Sequence, residues 1–161
     1  MNSQASVFEA ANYLLGHAWE DARVQALVEG WEQLDWMDDE DLKKARTDHR
    51  LSLMNPAQGI YLFFTDPDSH EACYGAPSGK GSLILSRVSL LLHFHPRWTP
   101  YAGSLPLALH VDDIAGDVLQ RLGQPAELWR VGLNVSKARW SAAQAEVDVS
   151  FGRGTGRLKL V

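Results

Sequence analysis

Cysteine is nearly absent. Cys73 stands alone in 161 residues, so no internal disulfide can form and a reducing compartment is expected. Basic charge is short as well: 15 Lys plus Arg face 20 Asp plus Glu, a formal net charge of −5. That balance repels nucleic-acid phosphate and anionic lipid, so neither nucleic acid nor a membrane is an expected partner, whereas a basic protein is. Long apolar runs are also lacking. The most apolar stretch, 83–94, is interrupted by Ser86, Arg87, Ser89 and His93 and is too short to span a bilayer. The opening MNSQASVFEAANYLL has no basic leader and no small-residue cleavage site behind an apolar run, which makes a cytoplasmic location the expectation.

What remains is enough for a core, since 45% of the residues are hydrophobic. Apolar spacing predicts a helix from Ala5 to Leu15 ended by Gly16, and a second over Ala22 to Glu29, capped by Asp21 and ended by Gly30. The charged stretch 34–50 reads either as a short helix or as a solvated connector. Alternation over Gly59 to Phe64 predicts a strand. The glycine-rich stretch 75–82 reads as a hairpin loop into a long strand over Leu83 to Phe94. Further on, Asp112 or Asp113 is expected to cap a helix over Ile114 to Leu122, stopped by Gly123 and Pro125. Strands are expected near 128–135 and 139–140, and again where Val147, Val149 and Phe151 alternate before a turn at 152–156 and a return through Leu158 and Leu160. The class is therefore α+β: an antiparallel sheet with short helices on one side, built as one domain over 1–161, with a division into two α-then-β units, 1–98 and 99–161, as the alternative.

Catalytic signatures are missing. The run Gly75 to Ser82 differs from a phosphate-binding loop in glycine spacing, in Gly81 after Lys80, and in the strand that follows. His93 and His95 share one side of the expected strand, a spacing that can chelate a metal if His110, Asp112 or Asp113 joins; the bland reading is two polar residues at a strand end. No nucleophile elbow surrounds any serine, and Cys73 has no neighbour placed to activate it. A non-enzyme without cofactor or metal is expected.

One polar stretch invites recognition. Asp35, Trp36, Met37, Asp38, Asp39, Glu40 and Asp41 place apolar anchors among carboxylates, a pattern that suits a basic partner. The alternative is a solvated loop with Trp36 and Met37 tucked into the core. His93, His95 and Trp98 form a second candidate patch.

Several segments together resemble bacterial immunity proteins of polymorphic toxin and secretion-system effector pairs, type VI secretion among them. They are Asp21, Arg23, Val24, Gln25 and Leu27; Gly59, Ile60, Leu62 and Phe64; Tyr101, Gly103, Leu105, Pro106 and Leu109; and Val118, Leu122, Gly123 and Pro125. Ala108 departs from the pattern, which has glycine there. The helix-then-strand repeat is also similar to beta-lactamase inhibitor protein. The resemblance implies a cytoplasmic protein that neutralises a cognate toxin by covering its active site, with monomer and homodimer both open. The rival expectations are a secretion chaperone and a small metal-dependent enzyme built on His93, His95 and Asp112 or Asp113.

Overall fold

Asp21 accepts the backbone N–H of Arg23 at 2.9 Å, which satisfies one of the donors that every helix start leaves unpaired. The helix it opens, α2 (Ala22–Val28), follows α1 (Val7–Tyr13), buries Val24 and Val28, and is left behind at Gly30 with φ +76°. The computed structural model describes residues 7–141, 146–152 and 158–160. The expected start of α1 at Ala5 and most of the turn at 152–156 lie outside them. The fold is α+β, and the chain forms two compact units, Met1–Ser89 and Leu90–Val161. The boundary precedes the one expected at 98/99.

In the first unit, α1 and α2 are followed by α3 (Glu32–Asp35), α4 (Asp39–Thr47), β1 (Arg50–Asn55), β2 (Ile60–Thr65), α5 (Pro67–Tyr74) and β3 (Ile84–Leu90). The antiparallel sheet has the order β1-β2-β3. Ile60, Leu62 and Phe64 alternate as predicted onto the core face, where Leu53 stands opposite Leu62 and Leu51 opposite Phe64. Burying one such side chain stabilises the fold by roughly 1.5–3 kcal/mol. Trp19 meets Phe64 edge-on, ring centroids 5.5 Å apart.

Both edges of this sheet are occupied. On β1, the Gln33 side-chain amide donates to the Ser52 carbonyl at 3.1 Å, and its oxygen accepts the Met54 N–H at 2.8 Å. On β3, Gly16 N–H donates to the Leu85 carbonyl at 2.8 Å, Leu85 N–H to His17 at 2.9 Å and Trp19 N–H to Leu83 at 2.8 Å. Such cover removes the free backbone groups through which sheets aggregate. Gly81 is needed beside this segment, because a Cβ there would come within 2.6 Å of the Ala18 side chain.

Four expectations need correction in this unit. The stretch 34–50 does hold a short helix, α4, but it also takes in the end of α3 and the start of β1, a strand that went unseen because its RLSLMN follows directly on the charged run. The helix α5 was also missed; Asp66 caps it by accepting Ser69 N–H at 3.0 Å, with Pro67 at its first turn. The glycine-rich loop therefore follows a helix rather than joining two strands. Finally, β3 stops at Leu90, so His93 and His95 do not stand on a strand.

The second unit contains a 3-10 turn (Pro106–Ala108), α6 (Ala115–Leu122), β4 (Glu127–Val131), β5 (Asn134–Ser141), β6 (Glu146–Phe151) and β7 (Leu158–Leu160), with the sheet order β4-β5-β6-β7. Ala138 pairs with Val149 and Trp140 with Val147, which puts Ala138, Trp140 and Val149 on a buried face. The Trp140 indole donates to the Gly123 carbonyl at 3.3 Å, fastening the end of α6 to β5. Gly123, at φ +74°, ends α6 as predicted.

The helix start differs from expectation. Ile114 occupies the cap position without a side-chain bond, and neither Asp112 nor Asp113 caps it. The Asp113 carboxylate instead accepts His110 N–H at 2.7 Å and pairs with Arg121 in the last turn of α6. Leu105 is extended, as its place before proline requires. Two residues later the backbone turns left-handed, with φ +55° at Leu107 and +52° at Ala108.

Candidate functional site

The acidic stretch forms the elbow between α3 and α4. Trp31, buried, precedes α3, and the helix ends at Trp36, whose N–H donates to the Gln33 carbonyl at 3.3 Å while Met37 N–H donates to Leu34 at 3.2 Å. That turn throws the indole outward, leaving Trp36 78% exposed. Met37 is half-buried. The two expectations for this pair thus divide: the tryptophan faces solvent and the methionine packs.

Asp38 and Asp41 serve the helix. Asp38 accepts Asp41 N–H at 2.9 Å and Asp41 accepts Asp38 N–H at 3.2 Å, a reciprocal capping box with aspartate in the place of glutamate. Asp39, Glu40 and Asp41 fill the first turn of α4, where carboxylates complement the helix dipole. Glu40 lies 3.8 Å from Lys43, a solvent-screened contact of little energetic weight. Asp35, Asp39 and Glu40, within four residues of Trp36 in sequence, are also exposed. Such an arrangement offers one large apolar anchor within a field that attracts cations.

The second patch lies in the other unit. His95 stacks on Trp98 at 3.7 Å with rings 10° from parallel, and His93 meets the same indole edge-on at 5.4 Å. The Trp98 indole Nε1–H donates to the His93 carbonyl at 3.2 Å, and His95 Nδ1 accepts the backbone N–H of Arg97 at 3.1 Å. Partial burial, with the nearby Arg97 and His93 as lesser causes, holds His95 below the ordinary histidine range. A turn from His95 to Trp98 brings the three rings together, and sequence spacing alone put only the two histidines on one side. Phe94, 80% exposed at the same turn, was missed. Among the described residues no group of three or more His, Cys, Asp or Glu is placed to hold a metal ion.

A hydroxyl and an imidazole do meet elsewhere. His70 Nδ1 lies 2.8 Å from Ser86 Oγ, which also contacts Thr65 Oγ1 at 2.6 Å and donates to the Ile84 carbonyl at 3.0 Å. With its one proton spent on Ile84, Ser86 accepts from both neighbours, so His70 carries its proton on Nδ1 and faces Ser86 as a donor. This is a satisfied buried network rather than an activated nucleophile. Its members are 16 and 21 residues apart, which no local pattern reveals. Cys73 is exposed on α5.

The strands expected near 128–135 and 139–140 are present as the hairpin of β4 and β5, whose turn at Gly132 and Leu133 divides the first expected strand. Every residue of β4 is exposed, Leu133 at the tip 95% so, and Trp129 lies under the Lys137 ammonium at 4.8 Å. On the same face Arg139 holds Asp148 at 2.6 and 3.1 Å. Those bonds raise the Arg139 pKa; burial pushes the Asp148 carboxyl up, and the bonds from Arg139 and Lys137 outweigh it. Comparison of the chain with protein-family models, curated proteins and solved structures returns no match.

Proposed function

We propose that this is a cytoplasmic immunity protein, a non-enzyme that binds a cognate toxin and covers its active site, with the α3–α4 elbow as the contact. The observation that supports the reading is Trp36, a 78% exposed indole set among exposed carboxylates. An indole held in water has nothing to gain until a partner covers it, and the acids around it favour a basic cleft such as that of an enzyme acting on a polyanion. The motif resemblance supplies the toxin as the partner class.

The test is co-expression with the product of the adjacent open reading frame, scoring survival and salt-sensitive co-purification. The informative variants are Trp36→Ala and the set Asp35→Asn, Asp39→Asn and Glu40→Gln, because changing Asp38 or Asp41 would also uncap α4. Rescue lost in these variants, with folding intact, is the expected result. Full rescue by both would remove the elbow from the interface.

A second reading, a secretion chaperone that takes up an extended client, draws on the wholly exposed edge strand β4. It predicts binding to the unfolded neighbour product and no loss of that product's activity once folded.

A further inference from the structure

The face of the first sheet opposite its core carries a different chemistry from the elbow. Along β2 it presents Tyr61, Phe63 and Thr65, and opposite them in β1 stand Met54, Ser52 and Arg50. Tyr61 and Phe63 stack at 4.8 Å, both half-buried, and the exposed Arg87 guanidinium lies 4.0 Å over the Phe63 ring. None of these residues is acidic. Arg23, Arg46, Arg121 and Arg139 each close on a carboxylate, whereas Arg50 and Arg87 make no ion pair among the described residues.

We propose that this face binds an extended acidic segment of another protein. An arginine held over an aromatic ring still has N–H donors to offer, and a guanidinium takes a carboxylate with two parallel bonds. Arg50 pairs across the sheet with Thr65, and the Thr65 hydroxyl touches Ser86, next to Arg87. The two arginines are thus about two strand spacings apart, roughly 10 Å. An extended peptide presents its i and i+2 side chains on one side about 7 Å apart, and two flexible arginines cover the difference, with Tyr61 and Phe63 as the apolar floor.

Two other occupants fit less well. A net charge of −5 opposes a nucleic acid. A second copy offers its acidic run only in folded form, with Asp38 and Asp41 committed to the capping box of α4.

The test uses the full chain and a fluorescein-labelled pentapeptide of alternating glutamate and valine, followed by anisotropy at low salt. Controls are the same peptide with lysine for glutamate and a short oligothymidine. Saturable binding of the glutamate peptide is expected, weakened about tenfold or more by Arg50→Gln with Arg87→Gln, and only partly restored by Arg87→Lys, which keeps the charge but loses the fork. Both arginines are exposed, so the thermal midpoint should fall by no more than the few degrees that loss of the Arg87–Phe63 contact accounts for. The proposal is overturned by no saturable binding to the native protein, by equal affinity of the double variant, by tighter binding of the lysine peptide or oligothymidine, or by a dimer that the double variant dissolves.

Discussion

Arg121 closes on Asp113 from the far end of α6, its Nη1 3.4 Å from Asp113 Oδ1, so the residue expected to begin the helix is instead tied to its last turn. Burial by itself would raise the Asp113 carboxyl. The bonds from Arg121 and from His110 N–H prevail and leave it below the ordinary carboxylate range. Arg121→Ala would leave a mostly buried carboxylate without both guanidinium donors, at a cost of about 1–3 kcal/mol, tempered by water reaching the arginine. Urea unfolding at pH 7 checks this. Because the folded pKa is depressed, the contribution is present above about pH 4 and lost as pH falls through the folded value; the native and variant curves should converge in acid.

Ala108 occupies a left-handed position at φ +52° where the immunity-protein pattern has glycine. A left-handed alanine is strained by roughly 1–2 kcal/mol, and glycine gives back roughly 0.5–1 of that as chain entropy. Ala108→Gly should therefore leave stability unchanged or raise it by up to about 1.5 kcal/mol. A fall in the thermal midpoint would contradict the backbone geometry.

His70 is held neutral. Burial lowers its pKa, and a second proton would place a cation beside Ser86. With a folded pKa below the unfolded one, the fold keeps its full stability above about pH 6.5 and loses it as pH falls toward the folded value. His70→Gln should flatten the slope of unfolding midpoint against pH between about 7 and 5. An unchanged slope would assign it to another group.

Gln33 replaces a missing strand neighbour for Ser52 and Met54. Gln33→Ala should cost about 1–2 kcal/mol and speed hydrogen exchange at the Met54 amide, while the Leu62 amide on the central strand keeps its protection.

The elements legible in the sequence are those whose signals are local. Asp21 with Gly30, the alternation of Ile60, Leu62 and Phe64, the stop at Gly123 and Pro125, and the alternation at Val149 and Phe151 all act within a few residues of where they are read. The misses depend on distance. Asp113 has a good capping position, but its charge is claimed by Arg121 two turns away. β1 follows so closely on α4 that its Leu51 and Leu53 merge into a charged run, and only pairing with β2 reveals them. At the elbow the sequence left two readings of Trp36 open, since whether it packs or projects is set by where α3 ends.

The pairing of Gly16 through Trp19 with residues 83–85 also bears on how the molecule is made. Its two sides are some seventy residues apart, so closing it carries a loop-entropy cost that helices α1 and α2 do not meet alone. During synthesis the amino-terminal helices emerge long before β3 exists. They must wait, half assembled, until the ribosome has delivered Leu85, and a nascent chain halted short of that residue would keep its first segment open to proteases.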